Sequence, residues 1–268
     1  MRKIIGLAAV ARSGKDTVAS ILLSNDNVAA YALADPLKVG CQHLFGLSDA
    51  QTWDDNCKEV IIPRWARSPR QLFQEVGTEW MRNHNPEFWL MRADREIHGS
   101  HADLLPKHIP GISAEAGAIY RACQAFFGFQ AEQLLDDQQA NIPDTLWGVT
   151  PHEMHNLIRD LTLKSFPNWE EIRTENDFDT TPSRKNEISG ADVIIIKDIR
   201  FENEAEYIRK HNGEIWHIIR PNAQKVNSHE SEAGIQYHAE DRIIKNTGTI
   251  DQLRANVAET WKKFNAQD

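Results

Sequence analysis

Cysteine is scarce in this sequence, which has three cysteines among its 268 residues: Cys41, Cys57 and Cys123. An odd number of cysteines without the close spacing of metal ligands supports neither a disulfide framework nor a zinc site. We therefore expect three reduced thiols and a cytoplasmic protein.

Long apolar runs and an excess of positive charge are also missing. No stretch approaches the roughly 20 apolar residues of a membrane span. The chain has 30 lysines and arginines against 39 aspartates and glutamates, a net charge of −9, which disfavours general binding to a polyanion such as DNA. We expect neither a membrane partner nor direct nucleic-acid binding. The 41% hydrophobic content supports a globular fold.

The most informative segment lies near the N-terminus. An apolar run from Ile4 to Val10 predicts a buried strand, and the run from Val18 to Leu23 predicts a helix. Between them lies the hexapeptide Arg12-Ser13-Gly14-Lys15-Asp16-Thr17. A strand that leads through a glycine turn into a helix directs N–H groups and the positive end of the helix dipole at one point. The segment therefore predicts a phosphate-binding loop, to which Lys15 adds a positive charge.

This loop departs from the common pattern G-x-x-x-x-G-K-[ST] at two positions. Ala9 replaces the first glycine, and Asp16 replaces the hydroxyl residue, with Thr17 one position later. Asp16 and Thr17 both offer oxygen ligands to Mg²⁺, so both are candidate metal ligands. An ordinary helix start capped by Ser13 or Asp16 is one alternative. A secretory signal ending at Ala9-Val10-Ala11 is another, although its cleavage would remove the predicted strand.

The end of the chain continues an α/β pattern. Val/Ile-rich runs at 191–196 and 213–219 predict buried parallel strands, and the helical spacing of 203–211 between them completes a β-α-β unit. A short strand near 242–244 and a helix over 250–264 follow. We predict an α/β core formed by residues 1–33 and 190–268.

The middle of the chain, residues 34–189, is predicted to be a mostly helical insertion that carries a ligand site or lid. Residues 34–69 and 116–151 share ten identities at an offset of 82 residues, which predicts an internal duplication. The second copy has Tyr120 where the first has Lys38, and His152 where the first has Arg70. We expect copy one to bind ligand and copy two to be structural. Residues 170–189 are polar and predict a linker.

Several polar residues are candidates for chemistry. Arg64, Arg67 and Arg70 occur within seven residues, and we expect Arg67 and Arg70 to share a helix face suited to a phosphate. The alternative is a set of salt bridges to Asp54, Asp55 or Glu59.

Asp198 and Arg200 follow a predicted strand, where parallel sheets place their ligands, and Glu204 lies in the first turn of the next helix. The alternative for these residues is helix capping. His229, within Ser228–Glu232, suggests either metal or acid/base chemistry or a capped helix start.

Six segments together resemble the bacteriophage deoxynucleoside monophosphate kinases. In chain order they are Arg12–Thr17, Pro36–Lys38, Ser68–Thr78, Phe88–Trp89, Asp198–Arg200 and Ser228–Gly234. The resemblance implies an α/β P-loop NTPase fold of the nucleoside monophosphate kinase type, a three-layer parallel sheet with a large helical insertion. It also implies transfer of the γ-phosphoryl group of ATP, with Mg²⁺, to a deoxynucleoside monophosphate for DNA precursor synthesis.

The resemblance further implies roles for individual residues. Those implied to hold ATP and its metal are Arg12, Ser13, Gly14, Lys15, Asp16 and Thr17. Those implied to surround the acceptor, with Phe88 as an alternative base-stacking ring, are Leu37, Lys38, Arg70, Gly77, Thr78, Trp89, Asp198, Arg200 and Glu204. The catalytic set would be Lys15, Arg70, Asp198 and Arg200. The partners would be small-molecule substrates, with a homodimer left open, and the location would be the host cytoplasm if the chain is phage-encoded.

Two rival functions stay open at this stage. One is a P-loop kinase for another small phosphorylated acceptor. The other is a nucleotide-dependent regulatory module without turnover, which Ala9 and the duplicated insertion would allow.

Overall fold

In a computed structural model of the protein, the described residues are 2–10, 12–99, 102–175, 188, 190–221 and 235–266. The chain forms two compact units. Unit 1 comprises Met1–Leu33 and Asn186–Asp268, and unit 2 comprises Ala34–Lys185. None of the helices in the described part of the chain combines the length and apolar character that a bilayer crossing needs.

The described elements are five strands and eleven α-helices. The strands are β1 Lys3–Ala9, β2 Val28–Tyr31, β3 Val193–Ile199, β4 Glu214–Ile219 and β5 Arg242–Lys245. The helices are α1 Lys15–Leu22, α2 Asp35–Phe45, α3 Asp49–Trp53, α4 Pro69–Gln74, α5 Phe88–His98, α6 Ala114–Phe127, α7 Ala131–Leu135, α8 Pro151–Ser165, α9 Trp169–Glu175, α10 Glu202–Lys210 and α11 Ile250–Asn265. A π-helical segment, Glu75–Arg82, continues α4, and a short 3₁₀ turn covers Gln139–Asn141.

Unit 1 contains a parallel sheet with the strand order β2-β3-β1-β4-β5. The predicted α/β fold with a parallel sheet is thereby confirmed. The apolar runs of β1 and β3 are buried, because helices cover both faces of the central strands. Ile5 and Leu7 pack in one cluster with residues of α1 and α11, whereas α10 packs on β1 and β4. Strand β1 lies between β3 and β4, so the predicted β-α-β unit spans it.

Unit 2 is built around two helices, α2 and α6, which pack against each other. Its core contains Phe45, Phe126 and Phe127, each almost completely buried. Cys41 and Cys123 lie in the same core, where burial raises the pKa of both thiols. All three cysteines are free thiols.

Two local features differ from the sequence-based expectation. Strand β2 was not predicted, because four residues of the composition Val-Ala-Ala-Tyr give little strand signal. The predicted linker 170–189 begins inside α9, and its remaining part, at 176–187 and 189, lies outside the described residues.

Candidate active site

The predicted phosphate loop connects β1 to α1. The strand ends at Ala9 and the helix begins at Lys15. Gly14 is the N-cap residue, with a left-handed φ of 97°, and no side chain caps the helix. The alternative in which Ser13 or Asp16 caps α1 is therefore wrong. An uncapped helix start directs its first N–H groups, and the positive end of its dipole, at whatever anion lies in front of it.

Two side chains from the ends of neighbouring strands attach to this loop. Asn246, directly after β5, donates from Nδ2 to the carbonyl oxygen of Ser13 at 2.8 Å. Arg220, directly after β4, donates to the carbonyl oxygen of Arg12 at 3.4 Å. Arg12 has a left-handed φ of 63°, an uncommon conformation for a residue with a side chain. The two contacts hold the consecutive carbonyl groups directly before Gly14.

Glycine is required at position 14 for space as well as for conformation. A Cβ atom there would lie 2.4 Å from Nδ2 of Asn246, the atom that holds the carbonyl of Ser13. Sequence reasoning did not predict Asn246 or Arg220 as site residues. A usable signal existed, since a polar residue directly after a parallel strand lies at the edge where the phosphate loop also lies.

The loop offers donors and oxygen ligands suited to a phosphate with a divalent cation. The Ser13 side chain is fully buried, and its hydroxyl has no hydrogen-bond partner among the described residues. Lys15 and Thr17 are half-buried and Asp16 is exposed. Helix amides and a lysine suit phosphate oxygens, and a carboxylate with a hydroxyl suits a hard cation. The residues present therefore fit both groups.

The end of β3 is irregular where the catalytic carboxylate was predicted. Gly6 pairs with Ile196 and Ala8 pairs with Ile199, so the register shifts across 197–198. Asp198 consequently lies within the strand, near its end, and not after it; its backbone is described but its side chain is not. A bulge of this kind re-aims a side chain and often occurs next to active sites. Arg200 follows the strand and is exposed.

Glu204 is a structural carboxylate in this arrangement. Its Oε2 accepts hydrogen bonds from the backbone N–H groups of Arg200 at 2.8 Å and Phe201 at 3.1 Å. These bonds cap the start of α10 from the third helical position, and the Glu204 side chain is buried. Glu204 thus fixes the backbone that carries Arg200. The structure agrees with the helix-capping alternative for Glu204. A contact between Glu204 and an acceptor stays a prediction.

In unit 2, three predicted acceptor residues lie together. The Nε1 group of Trp89 donates to the carbonyl oxygen of Gly77 at 3.0 Å. A Cβ atom at Gly77 would lie 2.6 Å from Cδ2 of Leu37, so this close approach requires glycine. Phe88 is buried and packs edge-on against Trp89. Of the two aromatic residues, Trp89 is therefore the one accessible for stacking on a base.

The charged residues of unit 2 are arranged differently from the prediction. Arg70 is on α4 and half of its side chain is exposed, with Nε paired to Glu59, as the salt-bridge alternative anticipated. Arg67 precedes α4, so the predicted shared helix face of Arg67 and Arg70 is wrong. Lys38, on α2, has its Nζ 5.0 Å from the ring centre of Trp53. Thr78 is exposed within the π-helical segment.

A buried basic cluster in unit 2 was not predicted. Burial and the charges of Arg121 and Arg173 lower the pKa of His43 to about 3. Burial, with Arg121 and Arg64 nearby, lowers the pKa of Arg173 to about 10. The imidazole of His43 is therefore neutral at physiological pH. The predicted site around His229 lies outside the described residues.

A parallel sheet whose first strand leads through a glycine-lysine turn into a helix is the arrangement of a P-loop NTPase. Comparison with known proteins makes the assignment narrower. The family model described as deoxynucleotide monophosphate kinase matches residues 3–59 and 147–257. The chain belongs to the deoxynucleotide monophosphate kinase family. It is therefore a nucleotide kinase, which is a phosphotransferase.

Individual relatives agree with this membership. The deoxynucleotide monophosphate kinase of Enterobacteria phage T4 is 26% identical over 265 residues, which cover 97% of this chain and 99% of the relative. The deoxynucleotide monophosphate kinase of Escherichia phage RB69 is 23% identical over 261 residues, which cover 95% of this chain and 98% of the relative.

Proposed function

We propose that this kinase transfers the γ-phosphoryl group of ATP, with Mg²⁺, to a deoxynucleoside monophosphate and releases ADP and the deoxynucleoside diphosphate. The uncapped start of α1 behind Gly14 is the observation that carries the ATP assignment, because its amides and dipole favour a chain of phosphates. Family membership carries the assignment of the acceptor.

The loop residues have separable roles in this proposal. Backbone N–H groups from Gly14 to Thr17 would bind phosphate oxygens, and Lys15 would neutralise charge on the transferring group. Arg12 and Ser13 would complete the ATP cradle. Asp16 and Thr17 would hold Mg²⁺, which supplies charge neutralisation at the phosphates when bound.

In unit 2, Lys38 and Arg70 would bind the phosphate of the acceptor, and Trp89 would stack on its base, with Leu37, Gly77 and Thr78 beside Trp89. In unit 1, Asp198 and Arg200 stay predicted acceptor residues, and Glu204 would fix the backbone of Arg200. A phosphate oxygen of the acceptor is the nucleophile, so the residues need only orient it in line and exclude water.

Acceptor specificity tests the function directly. ADP release from Mg·ATP would be measured by coupled assay with dGMP, dTMP, dCMP and ribonucleotides as acceptors. We expect ADP release that requires a deoxynucleoside monophosphate. Stimulation only by a different phosphorylated acceptor would contradict the proposed substrate class, and tight ATP binding without any turnover would contradict the proposed activity.

We further propose that this kinase works in the cytoplasm of an infected host, since two of its relatives are phage proteins. We also propose that it acts on small-molecule substrates without direct nucleic-acid binding, in keeping with its net charge of −9.

A further inference from the structure

Unit 2 contains two helix pairs with the same local geometry, 82 residues apart. The C-cap residue of helix α2 is Gly46, with φ 58°, and that of α6 is Gly128, with φ 69°. Each is followed by a five-residue helix, α3 or α7. The C-cap residues of these short helices are Asp54 and Asp136, whose ψ angles are 124° and 120°.

Side-chain hydrogen bonds repeat at the same offset. Nε1 of Trp65 donates to the carbonyl oxygen of Phe45 at 2.8 Å. Nε1 of Trp147 donates to the carbonyl oxygen of Phe127 at 2.8 Å. In both pairs the tryptophan follows its acceptor by 20 residues, so the loop that returns to the first helix has the same length and the same anchor.

Backbone contacts inside the two loops repeat as well. The N–H of Ile62 donates to the carbonyl of Arg67, and the N–H of Asp144 donates to the carbonyl of Val149, both at 2.9 Å. The next helices, α4 and α8, both begin with a capping box followed by proline. Agreement in helix ends, anchors and caps over this length is the pattern of a duplicated segment.

The family match has a gap of about the same length. Residues 60–146 are not matched, and the match resumes at Trp147, the counterpart of Trp65. The matched range from Trp147 onward thus includes part of copy two, whose residues differ from the candidate ligand residues of copy one. The side chains and helices of the two copies therefore have to be compared in order to assign the acceptor site to one of them.

Two differences separate the copies. Where copy one has Lys38 and Arg70, copy two has Tyr120 and His152. The ring of Tyr120 stacks on His155 with centroids 4.2 Å apart, so an aromatic pair occupies the place of a cation. Copy two therefore presents no lysine or arginine to a phosphate at these two positions.

The helices that follow also differ. In copy one, α4 continues into the π-helical segment Glu75–Arg82, which carries Gly77 and Thr78. In copy two, α8 is a regular α-helix from Pro151 to Ser165. π-Helical turns are rare and occur frequently at functional sites, because an added residue re-aims the side chains that follow.

We propose that the internal duplication extends over residues 34–83 (copy one) and 116–165 (copy two), that copy one holds the acceptor phosphate, and that copy two is a packing partner that has lost this site. The inference rests on the proposed function for the identity of the ligand. It assigns the acceptor residues to Lys38, Arg70 and the π-helical segment, although the family match covers copy two from Trp147 onward.

The chain supplies its own matched controls. Arg70→Ala and His152→Ala change counterpart positions, and both side chains are exposed and near the start of their helices. Steady-state kinetics of the full chain would be measured with dGMP as the varied acceptor. Because a charge-assisted hydrogen bond contributes about a tenfold factor or more, we expect kcat/KM for the acceptor to fall at least about tenfold in Arg70→Ala. We expect less than about a twofold change in His152→Ala.

Stoichiometry separates this inference from the proposed activity. Isothermal titration of the full chain with dGMP, in the presence of Mg²⁺ and ADP, should give one site per chain, and Arg70→Ala should weaken it. Two sites per chain, or equal kinetic losses in Arg70→Ala and His152→Ala, would overturn the assignment to copy one while leaving the kinase activity intact. A wild-type chain that neither binds nor phosphorylates deoxynucleoside monophosphates would overturn the proposed function, and this inference with it.

Discussion

Asn246 holds the phosphate loop from a position more than 230 residues away in the sequence, through a 2.8 Å hydrogen bond from Nδ2 to the carbonyl oxygen of Ser13. The same amide nitrogen fills the space that a Cβ atom at Gly14 would occupy. The conformation of the loop is thus fixed jointly by a glycine inside it and by a side chain from the end of β5. A loop that is already fixed in its binding conformation loses less conformational entropy when it binds a ligand.

Replacing Asn246 should weaken nucleotide binding. In Asn246→Ala the Ser13 carbonyl loses its partner, and we expect Mg·ATP to bind about tenfold more weakly by isothermal titration. Asn256→Ala is the matched control, because Asn256 also donates from Nδ2 to a backbone carbonyl, that of Lys245, at 2.9 Å. Equal ATP affinities in the two variants would contradict a positioning role for Asn246.

Removing the carboxylate of Glu204 should affect both stability and acceptor kinetics. In Glu204→Ala the N–H groups of Arg200 and Phe201 lose their acceptor, and we expect the free energy of unfolding to fall by about 1–2 kcal/mol. KM for the acceptor should also rise, because Arg200 loses its fixed backbone. Glu153→Ala removes the corresponding carboxylate of the α8 capping box and should change stability alone. An unchanged KM in Glu204→Ala would argue that Arg200 does not contact the acceptor.

The indole of Trp89 should matter through its N–H group. Trp89→Phe keeps an aromatic ring but removes the hydrogen bond to Gly77, and we expect a several-fold increase in KM for the acceptor with kcat little changed. The cost in unfolding free energy should be about 1 kcal/mol. Trp147→Phe is the control, because Trp147 also donates from its indole N–H to a backbone carbonyl, that of Phe127. This variant should have the stability cost without the kinetic effect. A KM increase of the same size in both variants would contradict a local role for Trp89.

His43 should make the protein less stable in mild acid. Its folded pKa of about 3 lies below the unfolded value near 6.5, so the unfolded chain binds a proton that the folded chain does not. The stabilising contribution is complete above pH 6.5 and decreases as pH falls towards 3, by up to about 1.4 kcal/mol per pH unit.

Urea unfolding at pH 7.5 and pH 5.0 tests this expectation. The loss of unfolding free energy between the two pH values should be smaller by about 2 kcal/mol in His43→Gln than in the wild type. His152→Gln, which removes an exposed histidine, is the matched control. Identical losses in the wild type and His43→Gln would show that His43 titrates normally in the folded protein.

Much of the fold could be predicted from local patterns in the sequence. The Val/Ile runs of β1, β3 and β4 have the continuous apolar character of buried parallel strands, and the glycine-lysine turn lies between a strand and a helix as expected. The small residues of β2 gave no such signal. Its place at the sheet edge, next to β3, depends on pairing over 160 residues of sequence.

The parts of the site that sequence could not predict are long-range or irregular. Arg220 reaches the phosphate loop because β4 lies beside β1, and Asn246 reaches it because β5 is the next strand beyond β4. The register shift near Asp198 and the π-helical turn at Gly77 each add a residue to a regular element, and no periodicity reveals that. The role of Arg67 was mistaken because α4 begins two residues after it.

The account depends most on the loop around Gly14 as the ATP site, and Mg·ATP binding to the full chain measures this directly. We predict saturable binding below millimolar Mg·ATP in the wild type, and a loss of at least about tenfold in affinity in Lys15→Ala, which removes the charge beside the phosphates. A wild-type protein that does not bind Mg·ATP at millimolar concentration, or a Lys15→Ala variant that binds it equally well, would contradict the account.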